Sequence, residues 1–344
     1  NASPPNFGYP EAKGQTYQLT SEQFAVNQVS HYVNKLGPVN HAGGANWIFS
    51  DSTSGGRVGV EVARTSGEVD GVRLPKEAYY VCQVMFTYEP RVHIIGHWSY
   101  PENTKKTIYV VANTGGEVEL FLNGKSLGRA KPETRFLYTF PDVAFAPGEL
   151  KAVAYQDNKA AATTAKTTVG APAAFRLTAL TGPGGLNADG ADFALIDVEA
   201  VDAKGQRVPT FQQRVDFDLE GPGVWRGGYN SGKIDSINHT YLDLEAGVNR
   251  VAIRSTLKSG PITLTVRHAQ LPAAKITIES KPVAIENGMT TALPMLPSVA
   301  LPPTPQRPPA SATPKADAAN SPTPGQVGRF IKTFNYTGPG SYIA

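Results

Sequence analysis

Five acidic residues, Glu11, Asp51, Glu61, Glu68 and Asp70, flank the most apolar short segment near the start of the chain, Gly43–Ser50. Carboxyl groups do chemistry in pairs when one stays protonated and the other ionised on either side of a scissile glycosidic bond. None of the five stands in a spacing that demands this role, and carboxylates in loops are commonplace. Trp47 carries more information. It follows Gly43-Gly44 on the apolar segment, four residues before Asp51. An indole in that place is either a platform for the C–H face of a sugar or a packed core side chain. Asp51, next after the segment, either accepts ligand hydroxyls or caps the loop. In Gly221–Asn230, Trp225, Arg226 and Tyr229 suit a carbohydrate surface or, more readily, a contact between domains.

Other chemistries find little support. The six histidines (His31, His41, His93, His97, His239 and His268) show no ligand spacing, so no metal site is expected. Cys82 is the only cysteine, which excludes an internal disulfide and a cysteine zinc cluster. Its apolar setting, Ala78–Val84, reads as that of a small buried hydrophobe. No GxSxG elbow, phosphate-binding loop or GxGxxG is present, and no cofactor is expected. A net charge of +3 without a basic block argues against nucleic acid. No apolar run reaches the length of a membrane span, and no signal peptide is legible. The chain reads as a piece of a longer protein, with a periplasmic or secreted setting as the expectation.

The elements that must position these residues change along the chain. Its 344 residues call for more than one domain, and 34 glycines with 28 prolines favour turns and short strands. Thr20–Leu36 is the one long helix, with Thr20-Ser21-Glu22-Gln23 as a capping box and Gly37-Pro38 as the stop. Its buried face is Ala25, Val29, Tyr32, Val33 and Leu36. The strand Gly43–Ser50 follows, then a polar loop to Asp70-Gly71, then a helix from Pro75 to Met85. Helix, buried strand, loop and helix make one unit of an α/β barrel. From Arg91, short alternating strands predict a β-sandwich to about Val169, with Asn123-Gly124 as a hairpin turn. A second series, from Ala173 to Glu279, predicts another sandwich of immunoglobulin size. Between Lys281 and Gly325 lie eleven prolines and no aromatic residue, the composition of a semi-extended linker. Val327–Tyr336 then alternates again.

These residues carry a resemblance. Trp47–Asp51 followed by Asp70-Gly71-Val72-Arg73-Leu74-Pro75-Lys76-Glu77-Ala78-Tyr79-Tyr80 resembles the last barrel segment of glycoside hydrolase family 2, the β-galactosidase family. His97-Trp98 and Val118–Gly128 are similar to its next β domain, and Gly247–Val251 with Ile253–Thr256 and Gly260–Leu264 to the one after. The resemblance covers about residues 1–285. It implies a multidomain, mainly β chain: the last βα unit of a TIM (β/α)8 barrel at 1–90 and β-sandwiches at 91–170 and 171–280, the second immunoglobulin-like. The Pro-rich linker at 281–325 and the start of a truncated β domain at 326–344 are read from composition and alternation and go beyond the family's common core. The resemblance also implies a retaining mechanism with two glutamates on earlier barrel strands, so no catalytic residue is expected in this chain. Trp47 matches an aromatic that lines the sugar pocket, and Asp51 and Arg57 are carried over as further substrate contacts. The implied partner is a carbohydrate substrate, with β-galactoside first and β-glucuronide and β-mannoside behind it. The competing organisation is a non-catalytic carbohydrate-binding or surface protein of β-sandwich modules, in which residues 1–90 fold independently.

Overall fold

The computed structural model describes residues 17–36, 48–52, 66–230 and 238–290. Helix α1 spans Tyr17–Leu36 and helix α2 spans Glu77–Met85. The first starts three residues earlier than the capping box implies, so Thr20 is an interior position. No glycine or proline separates Tyr17 from Thr20, and nothing there stops the helix from extending. Gln23 turns forward, its Nε2 donating to Asn27 Oδ1 at 3.2 Å. The second starts at Glu77, two residues after Pro75, with Lys76 as its N-cap. Phe24, Ala25, Val29 and Tyr32 of α1 pack on Ala78, Val81, Cys82 and Met85 of α2. Phe24 belongs to this seam beside the predicted positions, and Val33 lies at its margin. Cys82 sits inside the cluster, and burial pushes its thiol well above the ordinary range.

The segment before Asp51 is described only from Ile48. Its end runs parallel to residues 68–70: Ser50 bridges Val69, and Asp51 N–H donates to Val69 O at 3.0 Å. Phe49 is 55% exposed. Trp47 and the rest of the predicted strand lie outside the described residues.

The next seven strands are β1 (Val92–Ile94), β2 (Lys105–Ala112), β3 (Val118–Leu122), β4 (Lys125–Ala130), β5 (Leu137–Ala144), β6 (Glu149–Gln156) and β7 (Lys159–Thr167). They form antiparallel sheets ordered β1-β2-β5 and β4-β3-β6-β7. Ile108 and Val110 of β2 face Leu120, Leu150 and Ala152 of the other sheet, around the buried Trp98. Val111, from the opposite face of β2, packs against the helix pair. A strand covered on both sides needs an unbroken apolar run, which Ile108–Ala112 supplies. Asn123 and Gly124 turn β3 into β4 with φ of 51° and 79°, the left-handed pair that a two-residue hairpin requires.

The second series comprises β8 (Ala174–Leu180), β9 (Leu186–Asn187), β10 (Phe193–Val201), β11 (Arg214–Glu220), β12 (Gly223–Gly227), β13 (Tyr241–Asp243), β14 (Val248–Ser255), β15 (Gly260–Arg267) and β16 (Ala274–Lys281). Its sheets are ordered β12-β14-β10-β8 and β13-β11-β15-β16-β9. Between them lies a core that includes Ile196, Val198, Phe217, Leu242, Ile253 and Leu264. Inward residues alternate along β10 and β14, as a sheet with one wet face dictates. Within the stretch predicted as a linker, Ile285–Glu286 and Met289–Thr290 pair as a small hairpin, β17 and β18, and the rest of it, with the predicted segment 326–344, lies outside the described residues. Asn287 and Gly288, at φ of 53° and 79°, form its turn, a signal outweighed at the sequence level by the prolines that follow.

Candidate functional site

Where Ser50–Asp51 meets residues 66–76, polar side chains are buried together. Asp51 Oδ1 accepts from Lys76 Nζ at 2.9 Å and from Gly67 N–H at 2.8 Å. The two charged side chains are only 0% and 1% exposed. A buried pair of this kind holds when both charges are compensated, since either alone would carry the full desolvation cost. Asp70 Oδ1 accepts from the backbone N–H groups of Val72 and Leu74, at 2.9 and 2.8 Å, which shapes the turn before α2. Burial raises its carboxyl to about 6, against the pull of those two bonds. Ser50 Oγ donates towards Asp51 O and Asp70 O and is met by the Arg73 guanidinium. The parallel pair of segments is thus tied at its end by Ser50, Asp51, Asp70, Arg73 and Lys76.

The second β unit docks on this turn. Arg250 is held by Asp197 through a two-point pair at 2.5 and 3.0 Å, and its third nitrogen donates to Val72 O at 3.2 Å. The Tyr229 ring lies over Gly71 so closely that a Cβ there would come within 2.7 Å of it. Asn249 Nδ2 donates to Tyr229 O at 3.1 Å and fixes the backbone behind that ring. Trp225 is turned inward onto Phe217, ring centroids 5.1 Å apart, with its Nε1–H on His239 O. Of the two roles open to this aromatic group, Tyr229 serves the contact between segments.

A second polar cluster joins α1 and α2 to the first β unit. Glu22 binds Lys106, whose Nζ also donates to Tyr100 Oη at 2.6 Å. Burial raises the Glu22 carboxyl, partly offset by that lysine. Glu77 lies 2.7 Å from His93 Nε2. Burial alone would raise Glu77, but the charge and hydrogen bond of His93, with Lys166 and the Gly96 N–H, hold it at about 2. His97, stacked 4.4 Å from Tyr100, is lowered to about 4 by burial and by Lys106.

Of the three residues expected to contact substrate, Asp51 is enclosed beneath the surface, and Trp47 and Arg57 lie outside the described residues. Glu11 and Glu61 are also outside them. Sequence reasoning missed Lys76 as the counter-ion of Asp51. The partners are 25 positions apart, and the only signal was a lysine between a proline and an apolar helix. Among the described residues, no group of His, Cys, Asp or Glu has metal-holding geometry, and no helix is long and apolar enough to cross a membrane.

Residues 178–277 match the model of glycoside hydrolase family 2 C-terminal domain 5, and residues 103–162 match a domain of unknown function, DUF4982. A beta-glucuronidase of Formosa agariphila is 49% identical over 292 residues, which are 84% of this chain and 30% of that protein. The beta-galactosidase BoGH2A of Bacteroides ovatus is 31% identical over 223 residues, 64% of this chain and 26% of that protein. Among solved structures, a beta-glucuronidase from glycoside hydrolase family 2 superposes with a TM-score of 0.80 at 48% identity, over 88% of this chain and 32% of that one. A family 2 member from Bacteroides cellulosilyticus gives 0.58 at 30% identity, over 62% of this chain and 32% of that one. The chain spans about a third of the length of these relatives. At 49% identity over 84% of its length to such a relative, the chain belongs to glycoside hydrolase family 2, of which it matches the C-terminal portion.

Proposed function

We propose that the whole protein is a retaining β-glycosidase acting on terminal β-glucuronides. The observation that carries this reading is the 49% identity, over 84% of the chain, to a protein named beta-glucuronidase. The β-galactoside preference drawn from sequence resemblance gives way, because the relative named beta-galactosidase stands at 31%. In this reading residues 1–90 are the last βα unit of a TIM barrel, and the two β units are sandwiches, the second immunoglobulin-like. The parallel bridge between Ser50 and Val69 and the packing of α1 on α2 support that placement. The glutamate pair of a retaining mechanism then lies on barrel strands before α1, and hydrolysis passes through a covalent glycosyl-enzyme without a redox cofactor.

The contribution of this chain is positional. Trp47 offers its ring to the sugar and Arg57 a donor to its polar groups. Asp51, locked by Lys76 and Gly67, fixes the chain four residues after Trp47. The test is turnover of aryl β-glucuronide, β-galactoside and β-mannoside by the protein extended upstream to the length of its relatives. The glucuronide should be cleaved fastest. A larger kcat/KM for the galactoside would reverse the substrate assignment, and no cleavage of any of the three would remove the glycosidase reading.

A further inference from the structure

A cavity of about 320 Å³ lies where the helix pair and both β units meet. Four acids line it, and all are engaged. Glu22 is bound to Lys106, Glu77 to His93, and Asp70 to the backbone of its own turn. Glu245 has its partner as well. Of the three cations on the wall, Lys76 belongs to Asp51. The other two differ. Lys166, half-buried on β7, and Arg207, exposed after β10, form no side-chain hydrogen bond or ion pair among the described residues. Lys166 is close enough for its charge to act on Glu22, Glu77 and His97, yet it is bonded to none of them.

Among the described residues, the wall therefore holds two cations without a bonded partner beside four acids that each already have one. An ammonium brings three N–H donors and a guanidinium five, and neither can accept. The ligand that completes such a wall is rich in acceptors and carries a negative charge for the two cations that line it. The remaining lining mixes a few neutral polar groups with apolar side chains, which suits the hydroxyl and C–H faces of a small sugar. Thr167 Oγ1 and Gln206, themselves linked at 3.2 Å, offer neutral polar atoms across the junction of the β units. The Tyr80 ring, stacked 5.0 Å from His93, gives a flat apolar surface. The volume falls at the small end of the roughly 300–1,000 Å³ typical of ligand sites.

We propose that this cavity binds a carboxylate-bearing monosaccharide, with Lys166 and Arg207 taking the carboxylate and bridging the two β units through it. The assignment rests on the lining of the cavity and is independent of the glycosidase reading, since it needs no turnover. The test is calorimetric titration of the full 344-residue chain with sodium D-glucuronate, sodium D-galacturonate, D-glucose, sodium acetate and sodium sulfate. At least one of the two uronates should bind saturably at one site per chain. Lys166→Gln and Arg207→Gln should each weaken it about tenfold or more, the loss expected for a hydrogen bond to a charged group. Lys159→Gln, at the exposed start of the same strand, should leave binding unchanged. Thermal midpoints of the variants without ligand confirm that folding is intact. Saturation by neither uronate, or equal binding by both Gln variants, would overturn the proposal. Glucose binding as tightly as the uronates would remove the carboxylate from it, and acetate or sulfate binding as tightly would reduce it to a small-anion site.

Discussion

Asp51 and Lys76 meet at 2.9 Å with almost no access to water. Removing one partner leaves a buried charge, so Lys76→Met should cost about 3–5 kcal/mol in urea unfolding. Asp51→Asn added to Lys76→Met should recover part of that loss, because the uncompensated charge is gone while an oxygen remains for the Gly67 N–H. Equal instability of the single and double variants would mean that packing, not charge, holds the site. The titrating groups near the helices act in opposite directions. His97 is lowered from 6.5 to about 4, so it is neutral when folded and protonated when unfolded between those values. Its contribution is complete above pH 6.5 and is lost as pH falls towards 4. Asp70, raised from 3.8 to about 6, contributes below its ordinary value, and that contribution is lost as pH rises through 6. Comparing two proteins that differ only at the histidine separates its share from that of Asp70. The thermal midpoint of the wild type minus that of His97→Asn should decrease as pH is lowered from 6.5 to 4. A difference constant with pH would contradict the burial of a neutral His97.

At the scale of elements, the turn 70–74 is clamped from two sides. Its own Asp70 shapes it, and Tyr229 with Arg250 from the second β unit cover it. Gly71→Ala drives a methyl into the Tyr229 ring and should cost on the order of 1–3 kcal/mol, the range for overpacking. Tyr229→Ala makes room for that methyl, so the double variant should be more stable than the two single losses predict. Additive losses in a double-mutant cycle would show that the ring and the turn are not coupled. Arg250 cannot be exchanged for lysine at no cost, since a point charge does not reproduce the two-point grip on Asp197 while also reaching Val72 O.

At the scale of the molecule, the described chain is a helix pair with two β units locked onto it by buried charges. The β2 strand is shared by the helix seam and the first β core, which makes the junction continuous with both. The 344-residue chain should therefore fold through these contacts yet hydrolyse no aryl β-glycoside, because the proposed glutamate pair lies upstream. Detectable, saturable hydrolysis by the purified chain would place catalytic carboxyl groups within it and overturn that division of labour.

Amino-acid order alone determined those features that local physics decides. Asn123-Gly124 between alternating strands fixed a hairpin because few residues tolerate two successive left-handed positions. The spacing of Ala25, Val29 and Tyr32 located the buried face of α1. The family resemblance was also legible, because it is carried by short contiguous runs. Strand β7, rich in alanine and threonine, lacked a strong apolar signal and is defined by its pairing with β6. The union of Asp51 with Lys76, the seat of Tyr229 on Gly71 and the presence of both Lys166 and Arg207 in the lining of one cavity belong to tertiary structure alone. Each joins residues distant along the chain, and buried charge and close packing depend on neighbours in space that no local pattern encodes.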